Sequence, residues 1–125
     1  MTSEQTNLVG WFETPTQDLA RAKRFYQAVF HIETQDIELA GRQMAVFNGD
    51  PQRPGASGAL VHSPHDKPLD NGTLVYFNTP DIDAALLRVL SAGGKQLLPK
   101  TEIGAWGQIG FFLDTEGNRV ALWSR

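Results

Sequence analysis

Apolar residues recur at three- and four-residue steps in two stretches of this chain. In the first, Leu19, Ala22, Phe25, Tyr26, Val29 and Phe30 share one face while Arg21, Lys23 and Arg24 fill the other, which predicts an amphipathic helix of about three turns. Asp18 stands in front of it, where a capping acid belongs. In the second, Ile82, Ala85, Leu86, Val89 and Leu90 form the stripe, Asp81 opens it and Gly93-Gly94 stops it. Each helix follows a short apolar run closed by Thr-Pro. Leu8 to Phe12 ends at Thr14-Pro15, and Thr73 to Phe77 ends at Thr79-Pro80, since proline has no N–H for a ladder. Further strands are expected from Arg42 to Phe47, Gly58 to His62 and Lys95 to Leu98. The chain closes on a hairpin, Ile109 to Leu113 against Arg119 to Trp123, around the polar turn Asp114-Thr115-Glu116-Gly117-Asn118. On its second strand Val120 and Leu122 share one face, and Arg119, Ala121 and Trp123 the other. Residues 31 to 40 are weakly patterned, with only Ile32 and Ile37 suggesting a strand.

The two halves therefore repeat the order β-α-β-β-β, with WFETP and YFNTP as the visible echo. Between them Ser63 to Gly72, with two prolines, two aspartates and Asn-Gly, has no periodicity and reads as a linker. The expected organisation is one α+β domain over residues 1–125, with module one about 7–62, linker 63–72 and module two about 73–124. The chain has no cysteine, which excludes thiol catalysis, thiolate metal sites and disulfides. A net charge of −3 without a basic run argues against a nucleic-acid partner. The polar start MTSEQTN and the lack of a long apolar run argue against a membrane partner and for a cytoplasmic protein.

The paired modules, Asp18-Leu19-Ala20-Arg21-Ala22 leading into Phe25-Tyr26, Pro80-Asp81-Ile82-Asp83-Ala84-Ala85, Gly93-Gly94 and Asp114-Thr115-Glu116-Gly117-Asn118 together resemble the vicinal oxygen chelate superfamily. That superfamily includes glyoxalase I, extradiol dioxygenases, fosfomycin-resistance enzymes and bleomycin-resistance proteins. The resemblance implies two sheets curling around a central cavity with the helices outside. It also implies a divalent metal in the enzymes, held by His or Glu on inward strand positions. Carried onto this chain, those positions fall on Trp11, on Leu74 or Tyr76, on Ala121 and around Ala59. None of these side chains is a good ligand for zinc, nickel, iron or manganese. The expectation is accordingly no metal and no cofactor, and neither glyoxalase I nor dioxygenase chemistry.

Three histidines stand as replacement ligands, but His31 closes a helix and His62 and His65 flank the linker, positions that are ordinarily solvated. Glu13, two residues after Trp11, shares its face. At the mouth of a strand its carboxyl is expected to be hydrated or paired with Arg119; the alternative is that, beside an indole, it is raised and moves protons. Asn78 is its echo in the second module, and Arg119 is placed to meet an anionic ligand. Trp11, Phe47, Tyr76, Trp106 and Trp123 are candidate aromatic walls, with Leu74 and Ala121 lining the same cavity and Gly104 and Gly107 giving the Trp106 loop freedom. A core or dimer-contact role stands beside this for Trp11 and Trp106 and is the preferred reading for Phe47, Tyr76 and Trp123. The reading is a metal-free small-molecule-binding protein that forms a homodimer. The alternatives are a lyase, isomerase or dioxygenase using an unrecognised metal site or Glu13 as acid–base, and a dimerising domain with a filled cavity.

Overall fold

A computed structural model describes residues 9, 11–48, 54–70 and 73–125. The first half contains β1 (Trp11–Pro15), α1 (Leu19–Phe30), β2 (Thr34–Leu39), β3 (Arg42–Phe47) and β4 (Ser57–His62). The second contains β5 (Tyr76–Asn78), α2 (Ile82–Ser91), β6 (Lys95–Glu102), β7 (Gln108–Leu113) and β8 (Arg119–Ser124). The strands form two four-stranded sheets of identical connectivity, β1-β4-β3-β2 and β5-β8-β7-β6. In each, the first strand pairs parallel with the last and the rest are antiparallel. The fold is α+β, two β-α-β-β-β modules whose sheets remain open at their edges.

Both helices begin as their sequences predict. The Asp18 carboxylate accepts from the Arg21 N–H and the Asp81 carboxylate from the Ala84 N–H, each quenching an orphan donor of the first turn. The strand boundaries differ in instructive ways. Leu8 lies outside the described residues, and β1 runs on through Pro15, because an edge strand tolerates a residue without an N–H. β2 is regular but nearly wholly exposed on both faces, so its sequence carries no alternation. β6 reaches Glu102, four residues beyond its apolar start, through two register shifts that break the period of two. Ser63 to Asp66 is pinned rather than free, by a bridge between its ends and by the Ser63 hydroxyl against Asp66.

One core lies between the helices and the sheets. Ala22, Phe25, Tyr26 and Val29 of α1 and Ile82, Ala85, Leu86 and Val89 of α2 are buried against Phe112, Val120 and Leu122 of the second sheet and Ala45 and Leu60 of the first. Phe12, Phe47, Tyr26, Phe30 and Phe77 stack across the module boundary with centroids 4.6–6.3 Å apart. The glycines after α2 divide the labour. Gly93 takes φ +100°, while a Cβ on Gly94 would meet the Leu113 carbonyl at 2.7 Å and the Val89 and Phe25 side chains.

The turn between β7 and β8 ties the second module to the first. The Glu116 side chain is fully shielded from solvent, yet it carries a charge. Its Oε1 accepts from the Gln17 and Asp18 backbone N–H groups at 2.8 Å, and Arg21 Nε donates to Oε2 at 2.8 Å. Asp114 accepts the Tyr26 hydroxyl at 2.7 Å and the Glu116 and Asn118 N–H groups, and Asn118 Nδ2 reaches the Pro15 carbonyl at 2.9 Å. Burial alone would raise the Glu116 carboxyl, but Arg21, the two backbone N–H groups and the Thr115 hydroxyl outweigh it and hold the group below its ordinary value.

A folded-state pKa below the unfolded one contributes stability that is present above the unfolded value, about 4.3, and lost as pH falls through the folded value. E116Q is therefore expected to cost about 2 kcal/mol at neutral pH, or about 8 °C in Tm, with the deficit shrinking below about pH 4. Thermal melts of both proteins from neutral to acid pH check this; a deficit that does not change with pH overturns it.

Candidate functional site

Strand alternation gives each sheet a helix side and a helix-free side. Phe12 and Phe77 touch on the helix side, 5.4 Å apart, so β1 and β5 are neighbouring inner edges. Trp11 and Glu13, and Tyr76 and Asn78, emerge on the helix-free side. Trp11 and Tyr76 are each about half exposed. The pairing of Trp11 with Ser57 repeats as Tyr76 with Ala121, and that of Glu13 with Ala59 as Asn78 with Trp123. The four equivalent positions are thus Trp11, Ser57, Tyr76 and Ala121, and Ala59 lies one pleat further along. Leu74 is half-buried in the run leading into β5, two residues before Tyr76.

This constellation does not fit a divalent cation. It offers an indole, a phenol, a methyl group and a hydroxyl that donates to the Phe47 carbonyl at 3.0 Å, with no imidazole or carboxylate among them. Among the described residues no three His, Asp or Glu side chains gather as a metal cluster. The histidines are dispersed: His31 caps α1 with φ +55°, His62 Nδ1 lies 3.1 Å from the Thr16 carbonyl, and the His65 N–H donates to Ser63.

The first sheet's helix-free face is electrostatically closed. Arg42 donates to Glu13 Oε1 at 2.6 Å and, through Nε, to Asp66 Oδ2 at 3.2 Å. Trp11 Nε1 donates to Glu13 Oε2 at 3.2 Å. Met44, Ala59 and Val61 form a small buried cluster on this face, with Val46 against it. Arg42 hydrogen bonding lowers the Glu13 carboxyl, against a smaller opposing effect of burial, and the Ser63 hydroxyl and Arg42 lower Asp66. The carboxyl is lowered rather than raised, because Glu13 is paired with a cation, and that cation is Arg42 rather than the expected Arg119. Nothing local in the sequence marks Arg42; only the pairing of β3 with β4 brings it beside β1.

The second sheet's helix-free face is aromatic and cationic. Tyr76 and Phe111 meet edge to face at 6.2 Å, and the Arg119 guanidinium lies over the Phe111 ring, 6.0 Å from its centroid. Arg119 Nε is buried without a hydrogen-bond partner among the described residues, an arrangement that costs about 1–3 kcal/mol while it stays unmet. Trp106 stands on a short 3-10 turn, Gly104–Trp106, and the residue is 71 % exposed. Its carbonyl accepts from Trp123 Nε1 at 2.8 Å, which ties the turn to β8. Phe47 is placed elsewhere. Alternation turns it to the helix side, where it packs on Phe12, Tyr26 and Phe77. A cleft of about 250 Å³ borders the second sheet at Asn78, Pro80, Trp123 and Arg125. A larger one, about 560 Å³, lies on the helix side at Arg21, Arg24 and Gly93.

Because Arg42 holds Glu13 down, the Glu13 carboxyl is expected to titrate below about 4.3 and to stay ionised throughout the neutral range. Carboxyl ¹³C NMR titration checks this. R42Q is expected to move the midpoint upward, and a wild-type midpoint near neutrality would overturn the assignment.

Comparison with known proteins places these features. Residues 8–122 match the family model described as Glyoxalase/Bleomycin resistance protein/Dioxygenase superfamily. "Putative glyoxylase CFP32" of Mycobacterium tuberculosis is 30% identical over 123 residues, covering 90% of this chain and 44% of that protein. "Anthracycline biosynthesis protein DnrV" of Streptomyces peucetius is 25% identical over 126 residues, 92% of this chain and 46% of that one. The chain thus spans less than half the length of these curated relatives. Among solved structures, a glyoxylase/bleomycin resistance protein/dioxygenase domain from Frankia sp. EAN1pec aligns over 96% of this chain and 98% of its own with a TM-score of 0.75 at 17% identity, a likeness of fold. The repeated modules, the shared strand register and the family match over nearly all of its length together show that the chain belongs to the glyoxalase/bleomycin resistance protein/dioxygenase superfamily.

Proposed function

We propose that this protein binds a small organic molecule, without a metal, on the helix-free faces of its two sheets. The observation that supports this most is the replacement of ligand-type side chains by half-exposed aromatic ones. Trp11 and Tyr76 occupy the first-strand positions of the two modules, Tyr76 opposite the fully buried Ala121 and Trp11 opposite Ser57, one pleat from the fully buried Ala59. Such a surface holds an apolar or aromatic body and has a few polar groups, Glu13, Asn78 and Arg119, to orient it. Trp106 and Trp123 extend the aromatic wall of the second module, with Leu74 at its other end. The names of the relatives, a glyoxylase and an anthracycline biosynthesis protein, also concern small molecules. An acid–base role for Glu13 is less well supported, because Arg42 keeps its proton affinity low.

A planar-aromatic fragment set screened by ¹H–¹⁵N NMR in chelator tests this. Fragments are expected to shift the Trp11 and Tyr76 resonances and the indole signals of Trp106 and Trp123 with the chelator present. Added Zn²⁺, Ni²⁺, Mn²⁺ or Fe²⁺ is expected to leave Tm within about 1 °C. Binding that appears only with a metal, or a stabilisation of about 5 °C or more by one ion, overturns the metal-free reading.

The protein partner we infer is a second copy of this chain. β2 is an outer edge strand with Ile37 and Leu39 exposed, an unpaired ladder that a copy of itself would cover. Sedimentation at micromolar concentration is expected to show a dimer, weakened by I37K/L39K; a monomer throughout overturns this part.

A further inference from the structure

The two modules repeat one framework but treat charge on their helix-free faces in opposite ways. On the first sheet the cation Arg42 is answered by two carboxylates, Glu13 and Asp66. On the second, β5, β7 and β8 contribute no acidic residue to that face, which is built around Tyr76, Phe111, Ala121 and Trp123. Arg119 stands there without a counter-charge among the described residues, its guanidinium over Phe111 and its Nε buried and unpartnered. Tyr76 meets the same Phe111 ring edge to face, so the cation and two aromatic rings converge. Arginine is the cation suited to such a place. Its planar fork matches a carboxylate through two parallel hydrogen bonds, and it stacks on rings without losing that capacity.

We propose that the second sheet's helix-free face takes a planar aromatic anion, its carboxylate or enolate oxygens held by the Arg119 guanidinium and its ring lodged against Tyr76 and Phe111. The proposal rests on the small-molecule reading above and adds the charge and shape of the ligand. The anion supplies the acceptor that the described residues leave out, and the lack of an acid on β5, β7 and β8 removes competition for the guanidinium. The first sheet would not compete for the same ligand, since Arg42 is already neutralised by Glu13 and Asp66.

The test compares 2-naphthoate with its neutral counterpart 2-naphthamide, by NMR titration of the wild-type chain and of R119M. Methionine keeps an unbranched apolar stem over Phe111 while removing the charge and the fork. Wild type is expected to bind the acid about tenfold or more tightly than the amide, a difference of about 1.4 kcal/mol, and R119M to lose that preference while keeping the affinity for the amide. Equal binding of the two probes by wild type overturns the anion assignment and leaves the small-molecule reading standing, without need of the variant. A preference that survives in R119M overturns the role of Arg119. If neither probe moves the Tyr76, Phe111 or Trp123 resonances, both the anion proposal and the small-molecule reading for this face fall together.

Discussion

The architecture depends on a buried negative charge. Glu116 has no solvent contact, and a lone carboxylate in that position would be strongly unfavourable. It is tolerated because the residues leading into α1 present the Gln17 and Asp18 N–H groups to it and Arg21 closes the remaining side. Asp114 and Asn118 extend the contact to Tyr26 and to the end of β1. A turn of the second module thus fixes the start of the first module's helix. The relative position of the two sheets, and of anything bound on their free faces, follows from that docking together with the Phe12, Phe47 and Phe77 aromatic cluster.

The framework and the site have diverged to different degrees. The helix-side core is alike in the two halves: equivalent aspartate N-caps, equivalent stripes and an identical strand order. The helix-free faces share only their register. One carries a satisfied ion-pair network over a small aliphatic cluster, and the other carries aromatic rings around an unanswered guanidinium. This is what a scaffold permits when folding constrains one side of a sheet and leaves the other free to acquire chemistry. Family membership by itself therefore says little about activity. The side chains at the positions where the resemblance implies a metal are poor donors, and the polar groups that remain are suited to orienting a ligand.

Several elements were legible before any coordinates. The helices are, because their stripes repeat every three to four residues and an aspartate precedes each one. The terminal hairpin is, because an apolar run with two aromatics and a strand alternating on a period of two flank a turn with glycine. β2 was not, since an edge strand exposed on both sides has no reason to alternate. The far end of β6 was not, since register shifts spoil its period. Phe47 looked like a ligand wall because aromatic character does not tell which side of a sheet a ring faces, and β3 turns it toward the helices. Spacing from Trp11 puts Glu13 on that residue's face, but the cation it pairs with is Arg42 rather than Arg119, because Arg42 comes from a strand 29 residues away in sequence.

The amino-acid sequence alone determined the repeat, the two capped helices, the α+β class and the absence of ligand-type side chains at four strand positions. Each of these depends on residue identity and on spacings within one element. The tertiary structure alone decided which charges meet. It gave Arg42 to Glu13 and Asp66, gave Arg21 to Glu116, and left Arg119 without an acid beside it among the described residues. Ion pairs are short-range and join strands and turns far apart in the chain, so their partners are set by sheet register and module docking, which no local pattern encodes.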